Sequence, residues 1–197
     1  MPEAVIYELE RLNEMNITPQ NLQAISLIYD VTLDSGQWGS VLDEVAHQIG
    51  GTGGNVFVVS DHKVTGLSSM YVSTHLAPAL DVYLERGYNK NDEAFMPNYH
   101  DVVPYRGFRN SLDTYHEHNL RYGTKLDTSN LDEYMASNWG VAHRYSSRLN
   151  IRKTYIDFCT FHFGDLTKTQ IQSSLSLATC YLPHLAKALR SPDHFLS

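Results

Sequence analysis

Val141-Ala142-His143-Arg144-Tyr145-Ser146-Ser147-Arg148-Leu149 and Thr154-Tyr155-Ile156-Asp157-Phe158-Cys159-Thr160-Phe161-His162-Phe163 are joined by Asn150-Ile151-Arg152-Lys153. Both segments are rich in aromatic and β-branched residues, and the polar interruption between them is short, so they predict an antiparallel hairpin. Symmetric pairing about the turn sets His162 opposite Val141 and diagonal to His143, with both histidines on one face. In that register Val141, His143, Tyr145, Ile156 and Phe158 share a face. Arg144, Arg148, Tyr155, Asp157 and Phe161 share the other, with Arg144 and Asp157 placed for a diagonal ion pair. A one-residue slip would exchange the faces.

Working outward, a second hairpin is expected upstream. Val56-Phe57-Val58-Val59, within Asn55 to Ser60, is the continuous apolar run of a strand covered on both sides. Asp61-His62-Lys63 makes the loop and Val64 to Val72 the return strand. A strand near Val102 to Phe108 would complete five. Around these lie helical patterns. Val5, Leu9 and Leu12 mark a first helix. Thr18 as N-cap with Pro19 behind it opens a second, carrying Leu22, Ile25, Tyr29 and Thr32. Trp38, Val41, Leu42, Val45 and Ile49 stripe a third, stopped at Gly50-Gly51. Pro78 starts a helix with Leu80, Tyr83 and Leu84 that ends at Gly87, and short helices are expected over Leu112–His118 and Leu131–Asn138. Thr167 and Gln170 form a capping box for a last helix from Lys168 to Arg190.

The expected class is therefore α+β and PAS/GAF-like: a central, mostly antiparallel five-stranded sheet flanked by helices, with a long C-terminal helix. The chain of 197 residues is expected to form one domain, with N-terminal helices over 1–50, the sheet with inserted helices over 54–163, and the C-terminal helix over 167–190.

A formal charge of −7 argues against this chain gripping a phosphate backbone itself. Two cysteines, Cys159 and Cys180, exclude a disulfide scaffold and suit a reducing compartment. The acidic start lacks the apolar core of a signal peptide, and no run is long enough to span a membrane, so a cytoplasmic location is expected.

Catalytic and cofactor motifs are absent. Gly50 to Gly54 lies between a helix and a strand, the reverse of a phosphate-cradling loop, and reads as a helix stop with a turn. His116 and His118 read as a solvated pair, and His143 with His162 as a candidate metal pair only if the register holds. No cofactor is expected. A more suggestive stretch runs from Leu80 to Asp92, where Tyr83, Tyr88 and Asp92 could anchor a polar ligand head. Phe57, Tyr71, Trp139, Tyr145 and Phe158 are the expected walls, with the ligand between the sheet and Leu76 to Phe108. In the last helix Ile171, Leu175, Ala178, Leu182, Leu185 and Leu189 recur at alternating spacings of four and three, a seam interrupted by Pro183. Turns before Pro183 are assigned to the core, and Leu182, Leu185 and Leu189 to a dimer or output contact.

Two segments resemble the N-terminal sensor region of LuxR-family helix-turn-helix regulators. One is Ala24-Ile25-Ser26-Leu27-Ile28-Tyr29-Asp30 with the Trp-led Trp38-Gly39-Ser40-Val41-Leu42-Asp43-Glu44-Val45-Ala46. The other is Leu182-Pro183-His184-Leu185-Ala186-Lys187-Ala188-Leu189-Arg190. The resemblance implies a sensor of a small organic ligand, a homodimer, and DNA binding by a C-terminal helix-turn-helix domain, for which Ser191 to Ser197 are too few. Acyl-homoserine-lactone receptors of that family hold the lactone with a Trp, a Tyr and an Asp-Pro. Tyr83 and Asp92 match in spacing, but Ala79 stands in the Trp position and Glu93 follows Asp92, so a lactone is not specified. Two other readings stay open: a small hydrolase or lyase in which His143, His162 or Asp157 converge, and a structural dimerisation domain with a filled interior.

Overall fold

Thr18 sits in extended conformation ahead of Pro19, and its hydroxyl accepts from Asn21 N (3.3 Å) while Asn21 Oδ1 accepts from Thr18 N (2.8 Å). That reciprocal cap starts α1 (Pro19–Asp30). In this computed structural model the described residues are 18–60, 67–90, 107–123, 129–151 and 155–190. The helix expected around Val5 to Leu12 and the anchor Asp92 lie outside them. So does all but Gly107 and Phe108 of the strand expected near Val102.

A 3-10 turn at Ser35–Gln37 leads into α2 (Trp38–Gln48), whose Trp38, Val41, Leu42, Val45 and Ala46 are buried. Gly50 takes φ +70°, the left-handed conformation in which a glycine ends a helix without strain. The chain then extends into β1 (Gly53–Ser60) and β2 (Leu67–Val72). Next come α3 (Ala77–Glu85), a two-residue β3 (Arg109–Asn110), α4 (Ser111–Tyr122) and α5 (Ser129–Trp139). Finally β4 (His143–Ile151) and β5 (Tyr155–Phe163) form a hairpin, and α6 (Lys168–Ala188) closes the described chain. Thr167 and Gln170 cap α6 as the sequence predicts, with Gln170 Oε1 accepting from Thr167 N at 2.9 Å.

The five strands make one antiparallel sheet in the order β2-β1-β5-β4-β3. The main core lies on one face, where α1, α2 and α6 pack against Val56, Leu149, Cys159, Phe161 and Phe163, all at 0% exposure. A smaller cluster of Leu76, Ala79, Leu131, Met135 and Val141 holds α3 against α5 beside the opposite face.

Two expectations change here. The hairpin register is not symmetric about the turn: Arg144, not Val141, faces His162, and His143 faces Phe163. The slip is three residues, and an odd slip exchanges the faces of a strand. A register shift between Arg148 and Asn150 and the extension of β4 to Ile151 account for it. His143 and His162 therefore lie on opposite faces and form no metal pair, and Arg144 lies across the sheet from Asp157. Arg144 instead pairs with Asp132 of α5 at 2.8 Å, while Asp157 accepts from Asn150 Nδ2 at 2.7 Å.

The second correction concerns α6. Leu182, Leu185 and Leu189 are at 0%, 0% and 1% exposure and belong to the main core. The seam is satisfied within the chain, where each leucine contributes about 1.5–3 kcal/mol by leaving water, so these side chains are not available to a partner. Pro183 stands on the exposed side and the helix runs through it, so turns on both sides of the proline belong to the core.

Candidate ligand-binding site

Polar residues at alternate positions of β4 and β5 mark the face turned away from the main core. Asn55 of β1 pairs in register with Thr160, Thr160 with Ser146, and His162 with Arg144. Side chains opposite one another on an antiparallel pair share a face, so these five form a polar belt across three strands. His162 Nε2 lies 2.6 Å from Asn55 Oδ1, and Ser146 Oγ lies 2.7 Å from Thr160 Oγ1. Arg144 reaches α5 through Asp132, and its guanidinium stands 6.0 Å from the Tyr115 ring centre of α4.

Above the belt is a cavity of about 80 Å³. Its floor is Asn55, Arg144, Ser146, Thr160 and His162, with Ser111 at one edge. Phe57, Met70 and Val72 on the sheet, Leu76, Ala79, Leu80 and Tyr83 on or before α3, and Leu131 and Met135 on α5 complete the lining. A predominantly apolar wall with a few converging polar groups is the usual build of a small-molecule site.

Local sequence explains how the α3 wall is held. Asp43 of α2 accepts from Thr74 N (2.9 Å) and His75 N (3.3 Å), fixing the turn before α3. A Cβ on Gly53 would lie 2.6 Å from Leu76 Cδ1 and from Ser73 Oγ, so only glycine at this point of β1 lets Leu76 seat against the sheet.

His162 is the most unusual group of the floor. It is 7% exposed, and burial, reinforced by the positive charge of Arg144, pushes its pKa down to about 3. The imidazole is neutral at physiological pH. With the Asn55 carbonyl oxygen opposite Nε2, the ring proton sits on Nε2, and Nδ1 is left as an acceptor. That Nδ1 is buried and has no hydrogen-bond partner among the described residues. An orphaned buried acceptor costs about 1–3 kcal/mol.

Of the side chains chosen from sequence, Phe57 and Tyr83 line the cavity, as does Ala79. Phe158 shares the cavity face and backs Phe57, with ring centres 5.5 Å apart. Trp139 and Tyr88 pack against the small cluster of α3 and α5 outside the lining, and Tyr88 hydrogen-bonds Arg86. Tyr71 and Tyr145 stand on the main-core face, Tyr71 stacked on Trp38 at 5.3 Å and Tyr145 edge-on to Phe163 at 6.1 Å. The sheet alternation turns them from the cavity, and for Tyr145 the altered register is the direct cause. Sequence reading missed the floor residues Asn55, Arg144, Ser146 and Thr160. Alternate polar positions on a strand covered on both faces become a signal only with the register that puts them on one face.

The catalytic alternative needs His143, His162 or Asp157 to converge in one pocket. Asp157 is at 0% exposure on the main-core face and His162 lies on the cavity face, so they do not. Among the described residues no group of three or more His, Cys, Asp or Glu could hold a metal ion, and no helix is long and apolar enough to cross a membrane.

No protein-family model and no curated protein matches the chain. Solved structures do. The LBD domain of VqsR from Pseudomonas aeruginosa has a TM-score of 0.56 at 11% identity, over 91% of this chain and 100% of that one. CepR2 from Burkholderia cenocepacia, an N-acylhomoserine lactone dependent LuxR family transcription factor, has a TM-score of 0.51 at 14% identity, over 89% and 100%. SdiA from Escherichia coli has a TM-score of 0.53 at 12% identity; the match covers 83% of this chain and spans 64% of SdiA. At these identities the likeness is one of fold. The α+β fold with its five-stranded antiparallel sheet is shared with the VqsR LBD domain and with CepR2.

Proposed function

We propose that the chain is the small-molecule-sensing domain of a LuxR-type helix-turn-helix transcription regulator. It acts in the cytoplasm as a homodimer and controls DNA binding by a domain outside this sequence. The observation that carries the reading is the cavity between the polar belt and α3 with α5, on a fold shared with the VqsR LBD domain and with CepR2. The five-stranded antiparallel sheet with flanking helices and the long terminal helix support the PAS/GAF-like label for the architecture. Phe57 and Tyr83 wall the site, and Asn55, Arg144, Ser146, Thr160 and His162 supply its polar contacts.

Ligand binding would act on output only through a difference in affinity between two seatings of α6. Because Leu182, Leu185 and Leu189 are buried, the signal would travel through how α6 lies on the sheet rather than through those leucines at an interface.

The test is a thermal-shift series with small metabolites, N-acylhomoserine lactones among them. A compound at about 100 times its Kd adds about 2.7 kcal/mol to stability. At least one should raise Tm in the wild type and lose the effect in Val72→Trp, which places an indole in the cavity from the sheet side. A series in which no compound shifts Tm, or in which Val72→Trp responds equally, overturns the reading.

A further inference from the structure

We infer that the homodimer forms through the outer faces of α1 and α6, an uncharged surface that a second copy of this chain covers. The inference rests on the homodimer of the proposed function and names the surface that makes it. In a chain of formal charge −7, α2, α3, α4 and α5 each carry two acidic residues. α6 has none, and from Thr169 to Ala186 it has no charged residue of either sign. In α1 the only charged residue is Asp30, its last. These two helices lie side by side: Asn21 Nδ2 donates to Tyr181 Oη at 2.9 Å, and Tyr29 Oη lies 2.8 Å from His184 Nδ1. Their outer faces therefore form one surface.

A partner can reach this surface. Leu22 is 59% exposed, Ile25 and Leu177 are half-buried against the main core, and Ser176 and Pro183 stand exposed on α6. Leu112 and Leu120 of α4 are exposed too, but Asp113, Glu117 and Arg121 stand among them. Leucines interleaved with charges are ordinary solvated surface. Depletion of charge is what sets the centre of an interface apart from the rest of a protein's exterior. The same depletion selects a second copy as the occupant. An acidic chain repels itself, and two copies meet without confronting carboxylates where each presents an uncharged face. A two-fold axis brings the same patch to both sides of the contact. Helices of 21 and 12 residues, each about 10 Å across, present roughly 500 Å² a side. The pair then buries about 1,000 Å², the size at which a specific interface begins. α6 would have one face on the core and the other on the partner, so a change in its seating would alter how the copies pair.

Sedimentation of the full chain across micromolar to millimolar concentrations tests this. The wild type should dimerise. Leu22→Glu and Ser176→Glu, each placing a carboxylate at an exposed position of the surface, should weaken the dimer about ten-fold or more, because each copy then brings a charge into the contact. Leu120→Glu on α4 should leave it unchanged. In methyl NMR of the wild type, the signals of Leu22, Ile25 and Leu177 should shift with concentration while those of Leu112 and Leu120 stay fixed. A dimer that survives both Leu22→Glu and Ser176→Glu, or methyl shifts confined to Leu112 and Leu120, overturns the surface while leaving the homodimer. A wild type that stays monomeric at millimolar concentration overturns the surface and the homodimer together, and the sensing role then stands or falls on the thermal-shift series. The methyl readout uses the wild type alone, so it decides the matter even if a variant does not fold.

Discussion

The two faces of the sheet are built from the same strands and do opposite things. On one face Phe161, Phe163, Cys159 and Leu149 are at 0% exposure and meet the leucines and alanines of α6 and the Trp38 stripe of α2. On the other, one residue along each strand, stand Thr160, His162, Ser146 and Arg144, bordering a cavity. The first face is mostly apolar, with its buried polar side chains, Ser147 and Asp157, at the end nearer the β4–β5 turn. The second tolerates a buried, neutral histidine with an orphaned nitrogen. A protein that placed stability alone at stake would fill the second face as it fills the first. The contrast teaches that the α6 side is where the fold is held, and the α3–α5 side is where chemistry is kept available.

That contrast can be broken by substitution. Leu185→Ala, at a fully buried site against the sheet, should cost about 2–5 kcal/mol in urea unfolding. A loss below 1 kcal/mol would mean that the α6 face is looser than drawn. Adding volume should separate the faces further. Ala178→Leu, in the filled core, should cost about 1–3 kcal/mol, whereas Ala79→Leu, with the cavity beside it, should stay within about 1 kcal/mol of wild type. Equal penalties at the two alanines would count against an open second face.

The cavity face also predicts a pH dependence. His162 has its folded pKa pushed below the unfolded value of about 6.5, so below that pH the unfolded chain binds a proton that the folded chain does not. Its contribution to stability is intact above about pH 6.5 and is lost as pH falls toward 3, with a slope of up to about 1.4 kcal/mol per pH unit. His162→Phe should remove that part of the slope in denaturant melts taken between pH 7 and 4, and an unchanged slope would show that the ring is not held neutral. The smallest effect is expected for Ser146→Ala, which breaks the 2.7 Å bond to Thr160 and should cost about 1 kcal/mol.

Much of the fold could be read from the chain. The Thr18 and Thr167 caps, the Trp38 stripe, the stop at Gly50 and the two main hairpins follow from local chemistry, and each stands close to where its pattern put it. What the sequence hid was relative placement. The β4–β5 register hinges on a shift near Arg148 and Asn150 that no local pattern announces, and one odd slip reassigned Arg144, Tyr145 and His162 together. The seam in α6 was correctly seen as apolar at alternating spacings, but a stripe does not say whether its partner is another chain or the same chain's sheet. For the site, Tyr83 and Phe57 were legible as aromatics near the right elements. The floor was not, because Ser, Thr, Asn and Arg stand out only once the face they share is known.

Asn150 sits where β4 ends. Its Nδ2 reaches Asp157 Oδ2 and the Ala186 carbonyl, and its Oδ1 accepts from Arg190 Nε at 2.9 Å, so the end of the cavity-bearing strand is tied to the last turn of α6. A clasp of this kind works in both directions. On the proposed function, an occupant of the cavity that moved β4 would also load the end of α6, and whatever gripped the end of α6 would alter the affinity of the cavity by the same factor. The hold on the helix would then also be a dial on the pocket.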